Sequence, residues 1–253
     1  MSKQRVLITA GATGIGREIA RAFVESGASV FVCDINRIAL ANIAEEIPGV
    51  LTGHCDMSSR SHIERMVPEA AAALGGIDVL VNNAGIAGPT APTDEVDPDD
   101  WDAVLQVNLT GTFNTTRLAI PHLKTAGRGA IITLSSMAGR FGYRNRSPYC
   151  ASKWALIGFT KTLALELGAF NITANAILPG AVQGERLDKV YAGRAALSGK
   201  SIEEVRREAL ASQSIKQLVD PRDIAALAVF LASDAAKSIS GQALPIDNDR
   251  QQA

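Results

Sequence analysis

Short, almost wholly apolar runs recur along the chain, and a longer run with amphipathic spacing follows nearly every one of them. The apolar runs fall at residues 6–9, 29–33, 50–55, 78–81, 130–134, 172–178 and 242–246. The amphipathic runs fall at 16–26, 38–46, 63–74, 101–124, from about Pro148 onward, and at 224–232. Alternation of this kind predicts parallel strands joined by crossover helices, because strands buried on both faces read as continuous apolar runs. The expected fold class is therefore α/β: a single doubly wound parallel sheet of about seven strands with helices on both faces. No solenoid-period repeat or low-complexity linker divides the chain, so residues 1–253 are read as one domain. One segment breaks the alternation. Residues 184–215 carry Arg186, Lys189, Arg194 and a second helical run after a strand's carboxyl end, where α/β sheets bind ligands. They are read as a substrate lid.

Composition narrows the partners. With 25 Lys plus Arg against 26 Asp plus Glu, the net charge is −1, which offers no basic field for nucleic acid or an anionic membrane. No apolar stretch approaches the roughly 18 residues a membrane helix requires. The run after Met1-Ser2-Lys3-Gln4-Arg5 is too short for a signal-peptide core, so a cytoplasmic protein is expected. Cys33, Cys55 and Cys150 are odd in number and show no paired spacing, which fits buried free thiols. His54, His62 and His122 lack ligand spacing, and the acids between Asp94 and Asp102 suit a helix start at Asp97-Pro98, so no metal is expected. Trp154 is expected to pack against a neighbouring element.

The first strand leads through Thr9-Ala10-Gly11-Ala12-Thr13-Gly14-Ile15-Gly16 into a helix. Small residues there let the backbone of Thr13, Gly14, Ile15 and Gly16 approach a pyrophosphate, and the helix supplies unpaired N–H groups and the positive end of its dipole. Asp34 ends the second strand, 18 residues beyond Gly16. Its carboxylate can accept hydrogen bonds from an adenosine ribose diol and would repel a 2′-phosphate. Arg37 stands close by, but Asp34 precedes it and Thr13 replaces a basic residue in the loop. NAD is therefore expected over NADP.

Further on, Ser147-Pro148-Tyr149-Cys150-Ala151-Ser152-Lys153 places a phenol and an ammonium at i and i+4, on one helix face. Ser147 is expected to cap this helix, with Pro148 at its first position and Tyr149 in its first turn. A phenol with an ordinary pKa of about 10 is too weakly acidic to serve as a base at neutral pH. An adjacent ammonium lowers that value by favouring the phenolate.

With these motifs in hand, the sequence resembles the short-chain dehydrogenase/reductase family along essentially its whole length. The matching features are the glycine-rich loop, Asp56 after the third strand, Asn82-Asn83-Ala84-Gly85, Asn108 in "VNLTG", Ser136 thirteen residues before Tyr149, Tyr149 with Lys153, and Pro179-Gly180. The resemblance implies a Rossmann-type fold, hydride transfer with a nicotinamide cofactor, and a homotetramer. It implies that Tyr149 is the general acid/base, that Lys153 lowers its pKa and holds the nicotinamide ribose, that Ser136 holds the substrate oxygen, and that Asn108 supports Lys153 through a water. It adds Asp56, Met57, Asn83, Ala84, Gly85, Tyr149, Lys153, Pro179, Gly180 and Val182 to the cofactor contacts. It places the substrate near residues 136–149, with Ala138, Tyr143, Arg144 and Arg186 as candidate contacts.

Arg140, Arg144 and Arg146 crowd that segment, and a guanidinium there suits an anionic substrate. Three departures from the family pattern stand out. Ala10 replaces the first loop glycine. Gly184 replaces a threonine expected to hold the carboxamide, leaving main-chain groups near Val182 to compensate. Asp247-Asn248-Asp249 replaces a terminal "DGG", a change expected to touch the tail and not the chemistry. The expected function is NAD(H)-dependent interconversion of a secondary alcohol and a ketone on a small polar molecule: a polyol, sugar derivative or hydroxy acid. An NADP(H)-dependent 3-oxoacyl-thioester reductase and a catalytically silent nucleotide-binding regulator stand as alternatives.

Overall fold

Parallel pairing requires each strand to return to the same end of the sheet, and every crossover here does so through a helix or a helix-bearing segment. The computed structural model describes residues 3–251. Its strands are β1 (Arg5–Thr9), β2 (Ser29–Asp34), β3 (Leu51–His54), β4 (Val79–Asn82), β5 (Gly129–Leu134), β6 (Ile172–Pro179) and β7 (Ala243–Ile246). They form one parallel sheet in the order β3-β2-β1-β4-β5-β6-β7. The order reverses between β1 and β4, and the crevice outside their carboxyl ends is the place where such sheets bind ligands.

Helices cover both faces. On one lie α1 (Gly14–Glu25), α2 (Arg37–Glu46) and α9 (Pro221–Leu231), which bury Ile19, Phe23, Ile43, Ile224 and Leu231 against Val6, Ile8, Val30 and Val32. On the other lie α3 (Arg60–Leu74), α5 (Thr112–Ala126) and α6 (Ser147–Leu167), which bury Ile63, Met66, Leu123 and Leu163 against Leu7, Phe31, Leu80 and Ile131. Alternate residues of one strand thus serve opposite layers, as the pleat requires. Segment 184–215 forms α7 (Glu185–Ser198) and α8 (Ile202–Ala211), which share a separate small cluster of Tyr191, Ala195, Val205 and Ala209.

Three expectations are corrected. The helix expected over 101–124 begins at Pro98 with α4 (Pro98–Leu105), because Asp97 Oδ1 accepts a hydrogen bond from the Asp99 N–H at 2.8 Å. It then passes through a π-helical turn, Gln106–Gly111, before α5. Ser147 does not cap α6: it is the first helical residue, Arg146 precedes it without a capping bond, and the Ser147 hydroxyl is buried with no partner among the described residues. Trp154 joins none of the buried clusters among the described residues, and 52% of its surface is exposed. Of the three free cysteines, Cys33 and Cys55 are buried, whereas Cys150 is only partly covered.

The glycine-rich loop is tightly packed. Ala10 occupies the left-handed region at φ 49°, which disfavours a residue with a Cβ. At Gly16 an added Cβ would lie 2.5 Å from both Ala10 O and Asn83 Nδ2, and 2.7 Å from Gly11 Cα. Backbone surrounds it on two sides, so no side chain can move away to make room. Gly16→Ala is expected to destabilise the protein by about 1–3 kcal/mol. Urea unfolding of the purified variant checks this, and an unchanged midpoint would contradict the packing described.

Candidate active site

The end of β1, the start of α1 and the end of β4 are tied together before any ligand is considered. Thr9 Oγ1 accepts hydrogen bonds from the Asn83 and Ala84 N–H groups, each at 3.1 Å. The Asn83 side chain donates to the Thr9 and Ala10 carbonyls at 3.1 and 2.8 Å. That side chain therefore braces the loop, which leaves the backbone of residues 83–85 as the part facing the crevice. Thr13 precedes α1 in an extended conformation and makes no side-chain cap, and the first turn holds no acidic residue. Uncapped N–H groups at the positive end of a helix dipole fit a pyrophosphate.

Asp34 is 8% exposed at the end of β2. Its Oδ2 accepts from the Ala12 N–H at 3.2 Å, and its Oδ1 accepts from the Asn36 N–H at 3.0 Å. An ionised carboxylate can accept about four hydrogen bonds, so capacity remains for a ribose diol. Arg37 is exposed in the first turn of α2. Asp56 accepts from the Ser58 N–H and hydroxyl at 2.8 and 2.7 Å, and those bonds hold its carboxyl below the ordinary range. Met57 is buried beside it, and its carbonyl would lie 2.5 Å from a Cβ at Gly111, which locks the π-helical turn against β3's exit.

On the other side of the crevice, α6 is fastened to the end of β5. Lys153 is 3% exposed, and its Nζ donates to the Leu134 carbonyl at 2.7 Å. Ser135 Oγ donates to the Lys153 carbonyl at 2.8 Å, and at Gly139 an added Cβ would lie 2.7 Å from that same oxygen. Asn108, fully buried in the π-helical turn, accepts from the Ile86 N–H at 2.7 Å. It donates to the Ile86 carbonyl at 3.1 Å and to Ser152 Oγ at 3.0 Å. A Cβ at Gly85 would sit 3.1 Å from Asn108 Oδ1 and 3.4 Å from Lys153 Nζ, so these three residues are neighbours.

The Tyr149 ring lies 5.7 Å from Lys153 Nζ, and the Ser136 hydroxyl is close enough to act on its phenol. Ser136 Oγ also accepts from the N–H of buried Ala138 at 3.1 Å. Burial alone would push the Tyr149 phenol up. The Arg186 guanidinium, the Lys153 ammonium, the neighbouring Ser136 hydroxyl and Arg146 outweigh it and bring the phenol below its ordinary value. Lys153 moves the same way for a different reason: burial, against the pull of Tyr149 and with a smaller push from Arg186, lowers it to about 8.

Arginines fill the outer side. Arg146, 5% exposed, lies 5.0 Å from the Tyr149 ring and donates to Thr90 Oγ1 at 3.2 Å and the Ala87 carbonyl at 2.9 Å. Arg186 lies 5.6 Å from the same ring. Tyr143 is flanked by Arg194 at 5.5 Å and Arg250 at 5.3 Å. Arg144, an expected substrate contact, is exposed, as are Arg140 and Arg186. The loop turns between Arg144 and Arg146, with Asn145 at φ 63°, so the buried guanidinium belongs to Arg146.

The end of β6 and the tail complete the enclosure. The Gly180 N–H donates to the Ile246 carbonyl at 2.8 Å, and a Cβ at Gly180 would lie 2.7 Å from Asp247 Cα. Pro179 is the last residue of β6, and Val182 bridges to Val219. Gly184 enters α7 at φ 142°, where a threonine would be strained. Asn248 and Asp249 keep the left-handed conformation expected of the missing glycines, at φ 57° and 54°. The Asn248 carbonyl accepts from the Ser214 and Ile215 N–H groups, so the tail folds back and brings Arg250 to Tyr143. The changed tail therefore does reach the outer side of the site. Arg146 stood among three arginines that the sequence offers for an anionic substrate, whereas Arg194 and Arg250 were not singled out from sequence as binding residues. Arg194 lies two helical turns after Arg186, a weak local signal; nothing local marks Arg250.

A glycine-braced dinucleotide crevice joined to a Ser–Tyr–Lys cluster defines a class, and comparison with known proteins agrees. The family model described as enoyl-(acyl carrier protein) reductase matches residues 9–248. A D-beta-hydroxybutyrate dehydrogenase of Cupriavidus necator is 39% identical over 246 residues, covering 95% of each chain. An NAD+-bound xylitol dehydrogenase superposes with a TM-score of 0.92 at 30% identity, over 96% of this chain and 97% of that one. An actinorhodin polyketide ketoreductase variant with NADPH superposes at 0.93 and 32% identity, over 97% and 96%. The chain belongs to the short-chain dehydrogenase/reductase family. It is an oxidoreductase of the nicotinamide-dependent kind.

Among the described residues no helix is long and apolar enough to cross a membrane. Asn108→Ala would remove the side-chain partner of the part-buried Ile86 N–H and carbonyl and of the buried Ser152 hydroxyl. It is expected to destabilise the protein by about 1–3 kcal/mol. Chemical denaturation measures this, and a loss under about 1 kcal/mol would contradict the bridging role.

Proposed function

We propose that this chain is an NAD(H)-dependent dehydrogenase that interconverts a secondary alcohol and a ketone on a small polar substrate. The observation that carries the reading is the Tyr149 phenol, 5.7 Å from Lys153 Nζ at the ring and held below its ordinary pKa by Arg186, Lys153 and the neighbouring Ser136 hydroxyl. The nicotinamide supplies the hydride acceptor or donor. In the oxidising direction Tyr149 takes the hydroxyl proton of the alcohol, and in the reducing direction it returns that proton to the carbonyl oxygen. Ser136 holds that oxygen and stabilises charge developing on it. Lys153 keeps the phenol acidic and would hold the nicotinamide ribose. Asn108 sets the position of Ile86 and of Ser152 on α6, next to Lys153.

The cofactor preference rests on Asp34. Its carboxylate is fixed at the ribose end of the crevice by two N–H groups, where a 2′-phosphate would meet a like charge. Exposed Arg37 lacks such anchoring. The helices α7 and α8, with their own apolar cluster, form the substrate lid. The protein works in the cytoplasm as a homotetramer, without nucleic acid or membrane partners. Trp154 and Leu165 on α6 and Phe113 on α5 leave apolar surface exposed along two helices, which supports burial against a second copy.

Tyr149→Phe is expected to lower turnover by on the order of 10²–10⁴ while NAD still binds, as read by cofactor fluorescence. Turnover close to wild type would contradict the assignment. The ratio of kcat/KM for NAD over NADP should exceed one and fall in Asp34→Ala; a wild-type preference for NADP would overturn the Asp34 reading. Light scattering should give a tetramer, and a monomeric mass would refute the assembly.

A further inference from the structure

Four guanidiniums gather on the substrate side of Tyr149, arranged as two neighbouring stacks. Arg146 and Arg186 flank the Tyr149 ring, and Arg194 and Arg250 flank the Tyr143 ring. Among the described residues no carboxylate lies within salt-bridge distance of Arg146, Arg186 or Arg194. Neither Arg186 nor Arg194 donates a side-chain hydrogen bond to a described residue. A guanidinium lying over a phenol ring keeps its N–H edges available, and that fork matches a carboxylate. The cations also oppose one another: burial and then neighbouring Arg250 lower the Arg194 guanidinium, and burial, Arg194 and Arg186 lower Arg146. Like charges held in partly desolvated positions are relieved by an anion bound between them.

A second, independent feature marks the outer stack. The Tyr191 hydroxyl is buried, with the residue 3% exposed, and has no partner among the described residues. It lies within electrostatic reach of Arg194 and Arg250. A buried hydroxyl without a partner is costly unless something fills its place. Tyr191 and Arg194 are on α7, Tyr143 is on the loop before α6, and Arg250 is on the tail. This outer group is thus assembled from three parts of the chain, around a position beyond the reacting centre.

We infer that the substrate carries two acidic groups: one held by Arg186 and Arg146 next to the reacting carbon, and a second held by Arg194 and the Tyr191 hydroxyl. This rests on the reading of Tyr149 as acid/base. The substrate class is a compact hydroxy diacid or its keto form. Oxidation then transfers hydride from the carbinol carbon to NAD+ and the hydroxyl proton to Tyr149, while both acidic groups stay ionised and unchanged.

The test compares kcat/KM with NAD for three secondary alcohols: xylitol, 3-hydroxybutyrate and 3-hydroxyglutarate, which carry no, one and two carboxylates. The diacid is expected to lead, and Arg194→Ala should cut its advantage over the monoacid by about tenfold or more. Xylitol or 3-hydroxybutyrate matching or exceeding the diacid would overturn the inference. Calorimetry of succinate binding to NAD-loaded enzyme supplies a readout that needs no turnover. Binding that is lost in Arg194→Ala, with its fold intact by circular dichroism, supports the two-anion site even if no alcohol reacts, in which case the proposed reaction is what fails. Turnover of an alcohol without succinate binding sinks the inference alone, and absence of both sinks it too. Arg186→Ala should raise KM for the diacid while the NAD Kd stays unchanged; a weakened NAD Kd instead would reassign Arg186 to the cofactor and contradict the inner half.

Discussion

The buried ammonium of Lys153, donating to the Leu134 carbonyl at 2.7 Å beside the Tyr149 ring, is the constraint around which the site is built. An ammonium removed from water is unstable unless its donors are met and its surroundings hold still. The surrounding backbone does both. Ser135 ties down the Lys153 carbonyl, and Gly139 lets the chain pass within van der Waals reach of that oxygen. Gly85 leaves the space that Asn108 and Lys153 share. Through these contacts the ends of β4 and β5, the π-helical turn and the start of α6 become one unit. A phenol placed on that unit has a fixed direction and a fixed charge environment.

Charge then explains the outer architecture. Tyr149 is shifted downward more by Arg186 than by Lys153, so the acid strength of the phenol depends on a residue of the segment that follows β6. The same segment carries Arg194 and Tyr191, and the folded-back tail adds Arg250. Movement of α7 and α8 would therefore alter two things together, the pKa of the Tyr149 phenol and the placing of the arginines proposed to hold an anion. The cofactor side is organised differently. There the work is done by small residues, uncapped helix N–H groups and a carboxylate held by backbone, with loop strain at Ala10 offset by the braces from Asn83.

Most of the sheet could be read from sequence because both faces of each inner strand are covered, which makes each strand a continuous apolar run. The Tyr149 and Lys153 pair was legible because i and i+4 share a helix face, and the dinucleotide loop because Gly16 has no room for a side chain. What escaped depended on contacts between distant parts of the chain. The π-helical turn at Asn108 arises from the hold of Ile86 and from Met57 crowding Gly111, neither of which leaves a periodic mark. Ser147 looked like a cap because its type and position suit one, but the helix begins a residue earlier. Arg144 and Arg146 are indistinguishable by composition; the left-handed turn at Asn145 decides which is buried. Arg250 reaches Tyr143 only because Asn248 and Asp249 preserve a turn usually made by glycines.

The central claim is that Tyr149 ionises ahead of the other tyrosines because cations surround it. The chain has 3 tyrosines, and burial raises both Tyr143 and Tyr191 despite their arginine neighbours. The direct measurement is an NMR pH titration of protein labelled with 13C at the tyrosine ζ carbon. One resonance, absent in Tyr149→Phe, should titrate below the ordinary tyrosine value, and the other two above it. A Tyr149 resonance that titrates at or above that value would contradict the account.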